Sequence, residues 1–154
     1  MTGVATLIAT WFGSGWLPKV PGTWGSLAAL PFAWVIVAAG APPPVLGVAA
    51  LLLLPLGAWA AAVHSARLGT HDAGEIVVDE IVGQWLVLAT APLSPLGWLA
   101  AFLLFRLFDI AKPWPISWMD KHIGGGWGIM LDDVAAGVFG AVTLWIIVYF
   151  AGSF

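Results

Sequence analysis

The ten residues from His71 to Glu80, HDAGEIVVDE, hold one histidine and four carboxylates in a chain that is 8% charged and 61% hydrophobic. Two further segments concentrate ionisable groups in the same way: FRLFDIAKPWP sets Arg106, Asp109 and Lys112 at a spacing of three, and GGGWGIMLDDVAAG places Asp132 beside Asp133. Clustered carboxylates suit a hard divalent cation, whereas Arg grips phosphate with a bidentate fork and Lys with a point charge. A fourth segment, GSGWLPKVPGTWGS, combines glycines with Lys19, Thr23 and Ser26. It reads equally as a re-entrant turn needing a supple backbone or as a loop whose free N–H groups and hydroxyls receive a phosphate.

The elements that position these groups belong to a membrane protein. A mean hydropathy of +0.99 and a charged fraction far below the roughly 25% of a soluble domain place the 154 residues in that class, as one domain over 1–154. There is no cysteine, which excludes a disulfide framework and a cysteinyl-phosphate intermediate. The opening MTGVATLIATW lacks a basic n-region, so no cleaved segment is expected. The 11 tryptophans read as an interfacial belt.

A crossing helix needs about 20 apolar residues. Ser26 to Ala41 and Val45 to Val63 approach this length without a charge, divided by Pro42-Pro43-Pro44. Ile81 to Ala91 is short, but a helix begun near Asp72 would reach about 30 Å. Leu96 to Phe108 and Val134 to Phe150 follow. The expectation is an all-α bundle of about five transmembrane helices, with Val4 to Phe12 as a short interfacial or re-entrant piece. On this topology every charge falls on one side, while APPPV, APLSPLG and the tail YFAGSF on the other carry none. Lys and Arg in short loops mark that side as cytoplasmic and point the C-terminus outward.

Each constellation also has a plainer reading. On one helix Asp72, Glu75, Asp79 and Gly83 share a stripe about 80° wide, with Glu80 on its flank. Asp72 and Glu75 then resemble a capping pair, but Asp79 and Glu80, two turns in, are too deep for capping and point to function. Arg106 and Asp109 read equally as an intrahelical ion pair. One of Asp132 and Asp133 reads as a cap; the two point about 100° apart, so both cannot serve one cap. Gly137 and Gly140 on the stripe of Asp133 permit close helix approach toward the third span. His64 and Arg67 read as span-end anchors. His122 is an ordinary polar group on this reading, and His71 gains weight from adjoining Asp72.

Acids exceed bases by eight to five on this face, yet a phosphate monoester would bring nearly two more negative charges. Mg²⁺ resolves the conflict, because it binds carboxylates and keeps positions open for water and phosphate oxygens. The four segments, in this order, resemble the phosphatidylglycerophosphatase A family of bacterial membrane enzymes. The resemblance implies Mg²⁺-dependent removal of the terminal phosphate of phosphatidylglycerophosphate, at the cytoplasmic face of the inner membrane. It implies functional positions at Lys19, Thr23, Ser26, His71, Asp72, Asp79, Glu80, Arg106, Asp109, Lys112, Asp132 and Asp133. We assign Asp79, Glu80, Asp132 and Asp133 to the metal, and Lys19, Thr23, Ser26, Arg106 and Lys112 to the substrate. His71, Asp72 and Asp109 are assigned to proton transfer or ligand orientation. The partners implied are the membrane and a phospholipid, with no nucleic acid. A small transporter or ion-coupled channel subunit is the rival reading; it would place ionisable groups near the midplane, on a path between both faces. A scaffold for anionic lipid is disfavoured by the acidic excess.

Overall fold

The computed structural model describes residues 2–151. Among them the chain forms seven α-helices and one 3₁₀ turn, Ser14–Trp16. The helices are α1 (Thr2–Ala9), α2 (Pro21–Ala38), α3 (Pro44–Leu68), α4 (Val78–Leu88), α5 (Pro95–Ala111), α6 (Ile116–His122) and α7 (Gly125–Ala151). This is the all-helical bundle expected. Three helices, α2, α3 and α7, are long and apolar enough to cross a membrane, while α5 has 17 residues and α4 has 11. The count of about five crossings is therefore approximate. Residues 152–154 of the tail assigned to the outward side lie outside the described residues.

Proline, glycine and one hydroxyl set the helix boundaries. Pro21, Pro44 and Pro95 open α2, α3 and α5, where the missing N–H would have had no partner. Ser94 caps α5 by accepting the Gly97 N–H at 3.0 Å. Gly69, at φ 70°, ends α3, and Lys112 takes the left-handed conformation just before Pro113 to end α5.

The short helix α4 is the centre of the bundle, packed on α7, α3, α2 and α5. Val78, Ile81, Val82 and Val87 are fully buried, and Trp85 donates its indole N–H to the Ala29 carbonyl of α2 at 3.0 Å. The long helices instead turn Trp34, Leu52 and Trp145 outward, as a lipid-facing surface requires. Contact between α4 and α7 runs through glycines. A Cβ on Gly137 would lie 2.6 Å from the Gly83 carbonyl oxygen, and one on Gly83 would lie 2.7 Å from that of Asp133. The close approach expected of Gly137 is thus present, and it draws Asp133 to α4.

Several sequence expectations are corrected. No helix starts near Asp72: the segment before α4 is a loop of bends and one turn, closed by the Ile76 N–H on the Ala73 carbonyl at 2.8 Å and held by tertiary contacts, with the Val77 N–H donating to the Ala9 carbonyl of α1 at 2.8 Å. Asp72 has φ 51°, and the β-branched pair Ile76-Val77 is buried. Asp72 and Glu75 consequently share no helical stripe with Asp79 and cap nothing; the residue preceding α4 is Val77, without a side-chain cap. The last helix begins at Gly125 instead of Val134, so Asp132 and Asp133 lie inside it and neither is a cap. α3 extends to Leu68, which puts His64 within the helix and 2% exposed, not at an anchoring end.

Because the Gly83–Gly137 contact leaves no room for a methyl group, Gly137→Ala should lower stability by about 1–3 kcal/mol. Thermal unfolding in detergent reads this as a lower midpoint; an unchanged midpoint would contradict the packing described.

Candidate active site

The first turn of α4 contributes Asp79 and Glu80, and α7 contributes Asp133. One oxygen from each of the three carboxylates lies within 4.8 Å of the others. Asp79 is 8% exposed and Asp133 4%. Glu80 Oε2 and Asp133 Oδ2 are buried without a hydrogen-bond partner among the described residues. The donor set is all hard oxygen with unused lone pairs, which fits a divalent cation that completes its shell with water or phosphate.

Arg106 stands beside this group. Its Nη1 is 2.6 Å from Asp109 Oδ2 and donates to Ser26 Oγ at 3.3 Å, while its Nε has no partner among the described residues. Ser26 in turn donates to the Gly22 carbonyl at 2.9 Å. The absence of a side chain at Gly22 is what admits this arrangement: a Cβ there would collide with Glu80 Oε1 and sit 3.3 Å from Arg106 Nη1. Gly15 and Gly25 likewise press on the backbone of Glu75 and on Val77. Three of the four glycines of GSGWLPKVPGTWGS, Gly15, Gly22 and Gly25, are therefore needed for close approach to the segment 75–80.

Lys112 forms a bridge, donating to Asp120 Oδ1 and Asp132 Oδ2, both at 2.7 Å. Burial disfavours the ammonium, yet the two carboxylates outweigh it and hold the Lys112 pKa above its ordinary value. Asp132 lies outside the 4.8 Å group formed by Asp79, Glu80 and Asp133. Its Oδ2 serves Lys112, and its Oδ1 is buried without a partner among the described residues. His71 is exposed, and its Nε2 accepts the Gly125 N–H at the start of α7 at 3.0 Å; the ring proton therefore sits on Nδ1. Asp72 and Lys19 are exposed, both at positive φ, and Thr23 is half-buried.

Some groups near the site had no distinguishing signal in the sequence. His64 Nε2 meets Glu75 Oε1 at 2.7 Å and its Nδ1 meets Thr6 Oγ1 at 3.1 Å, while Arg67 reaches the same hydroxyl at 3.3 Å. This network ties α1 and α3 to the loop bearing His71 and Asp72. Gln84, one turn beyond Glu80, is fully buried with both amide atoms unpartnered among the described residues. Only the three-dimensional packing distinguishes Gly22 from its neighbouring glycines.

Truncating Glu75 would strand the buried His64 Nε2, so Glu75→Ala should cost about 1–3 kcal/mol, whereas Glu75→Gln keeps an acceptor and should cost less. Hydrogen exchange over residues 69–77 should quicken in the alanine variant; equal protection in both variants would contradict the pinning of this loop by His64.

A family profile described as phosphatidylglycerophosphatase A matches residues 7–148. A phosphatidylglycerophosphatase A of Escherichia coli K12 is 43% identical over 142 residues, covering 92% of this chain and 81% of that protein. One from Haemophilus influenzae is 42% identical, covering 93% and 88%. A protein of Bacteroides thetaiotaomicron with the provisional name phosphatidylinositol-3-phosphatase is 41% identical, covering 92% and 94%. No solved structure matches the chain. The extent of these matches, over the same segments that build the cluster around Asp79, Glu80 and Asp133, shows that the chain belongs to the phosphatidylglycerophosphatase A family.

Proposed function

We propose that the protein hydrolyses the terminal phosphate of phosphatidylglycerophosphate to phosphatidylglycerol and inorganic phosphate, using Mg²⁺ held by Asp79, Glu80 and Asp133. The observation that carries the reading is the buried group of three carboxylates within 4.8 Å, with oxygens left unpartnered, beside Arg106 in a chain of this family. When bound, the cation supplies charge neutralisation, polarisation of the phosphoryl group and a more acidic water.

The chain's own residues divide the remaining work. Arg106, held by Asp109 and Ser26, offers its remaining N–H groups to phosphate oxygens. Lys112 adds positive charge from the side of Asp132, which positions it. Lys19, on the approach to α2, and Thr23, in its first turn, complete the headgroup contacts. Water attacks phosphorus, the bond from phosphorus to the glycerol oxygen breaks, and the departing oxygen takes a proton. His71, Asp72 and Asp109 are assigned to moving this proton from the attacking water to the departing oxygen or to orienting the ligands.

Lys19, Arg67, Arg106, Lys112 and Lys121 all lie at one end of the bundle or in the loops there, which supports a cytoplasmic mouth in a bacterial inner membrane. A path of ionisable groups to the opposite end, which a transporter would need, is absent among the described residues.

Release of inorganic phosphate from phosphatidylglycerophosphate by purified protein should require Mg²⁺ and cease with a chelator. Asp79→Asn and Asp133→Asn should each reduce it by about 100-fold or more while the protein remains in the membrane. Phosphatidylinositol 3-phosphate and phosphatidic acid, run in parallel, determine the headgroup preference; faster hydrolysis of either would overturn the substrate assigned. Full activity in both Asn variants would remove the metal assignment.

A further inference from the structure

Between α2 and α5 runs an apolar groove whose position the proposed chemistry leaves unexplained. The two helices are antiparallel and touch at two points: Arg106 donates to Ser26 at one end, and the indole rings of Trp34 and Trp98 meet edge to face at 5.9 Å at the other. A cavity of about 300 Å³ lies between these points, and a second of about 260 Å³ adjoins it at the Trp34–Trp98 contact, toward Leu93, Ser94 and Pro95. Leu27, Leu30, Leu99 and Phe102 line the nearer one, and Trp98 borders both. From Ser26 to Trp34 the groove follows about 12 Å of helix at 1.5 Å per residue.

Resting on the phosphatase reading above, we propose that this groove seats one acyl chain of the lipid substrate, with the headgroup at the Arg106 end. Three observations single out this occupant. First, the groove is continuous with the polar mouth: Leu27 follows Ser26 in sequence, and Phe102 lies one turn of α5 before Arg106. Second, its polarity changes from apolar walls to a guanidinium at the point where a phospholipid changes from chain to phosphate. Third, Leu27, Trp34 and Leu99 are 38%, 60% and 52% exposed on helices otherwise directed to the bilayer, so a chain enters sideways without leaving hydrocarbon.

Such a chain gains no transfer free energy, because it moves from lipid to an apolar wall. What the groove supplies is position: it fixes the depth and direction from which the phosphate meets Arg106, converting a diffusing headgroup into an oriented one.

The experiment compares a long-chain phosphatidylglycerophosphate with its fully deacylated counterpart. Leu30→Trp, which fills the groove, should lower kcat/KM on the long-chain substrate about tenfold and leave the deacylated one unchanged. The chain has no cysteine, so Leu30→Cys can be folded first and then blocked with a benzyl methanethiosulfonate. Blocking should reproduce the selective loss and a reducing thiol should reverse it, while the same treatment of Leu52→Cys, on the lipid face of α3, changes nothing. Equal loss on both substrates, or no loss on either, overturns the groove assignment. A wild-type protein that releases phosphate from neither substrate overturns the hydrolase reading itself, and the groove proposal with it.

Discussion

Three carboxylates held within 4.8 Å of one another in a largely apolar bundle are the constraint on which the rest depends. At an effective dielectric near 20, each pair of like charges at that separation repels by about 3 kcal/mol. Three pairs together rival the whole stability of a typical domain, about 5–15 kcal/mol. Arg106, beside the group, is already engaged by Asp109, and Lys112 serves Asp120 and Asp132. A divalent cation bound there would offset this repulsion, which is what supports the reading of the site as a phosphatase centre.

The packing that enforces this proximity uses small residues. Gly83 and Gly137 bring the backbones of α4 and α7 together beneath Asp133, and Gly22 brings α2 against Glu80. α4 is too short to cross the bilayer alone, and it succeeds as a core because α2, α3, α5 and α7 surround it. The outer helices meet lipid with large apolar side chains. The charged side chains among the described residues are thus confined to one end of the bundle, where α4 starts, α5 stops and α6 turns the chain back.

Much of this was legible in the sequence. Long uncharged runs between prolines marked α2 and α3, and the concentration of ions in three segments, with Lys19 in a fourth, located the end of the bundle at which they meet. Gly137 was read correctly as a close-contact residue because it recurs at helical spacing from Asp133. Tertiary contact decided the rest. HDAGEIVVDE has a helical-looking spacing of acids, but Val77 bonds to Ala9 and Glu75 to His64, so its first half is a loop. Asp132 and Asp133 are neighbours in sequence, yet their directions from α7 give one to Lys112 and the other to the three-carboxylate group. His64 and Gln84 carry no local pattern that distinguishes a buried polar residue from a span end.

The most direct measurement of the central claim is binding of Mn²⁺, as an EPR-visible substitute for Mg²⁺, to the purified protein in the absence of substrate. Saturable binding by the wild type, weakened in Asp133→Asn and competed by Mg²⁺, is the expected result. Binding that is equally strong in the Asn variant, or no binding at all, would contradict a cation held by Asp79, Glu80 and Asp133.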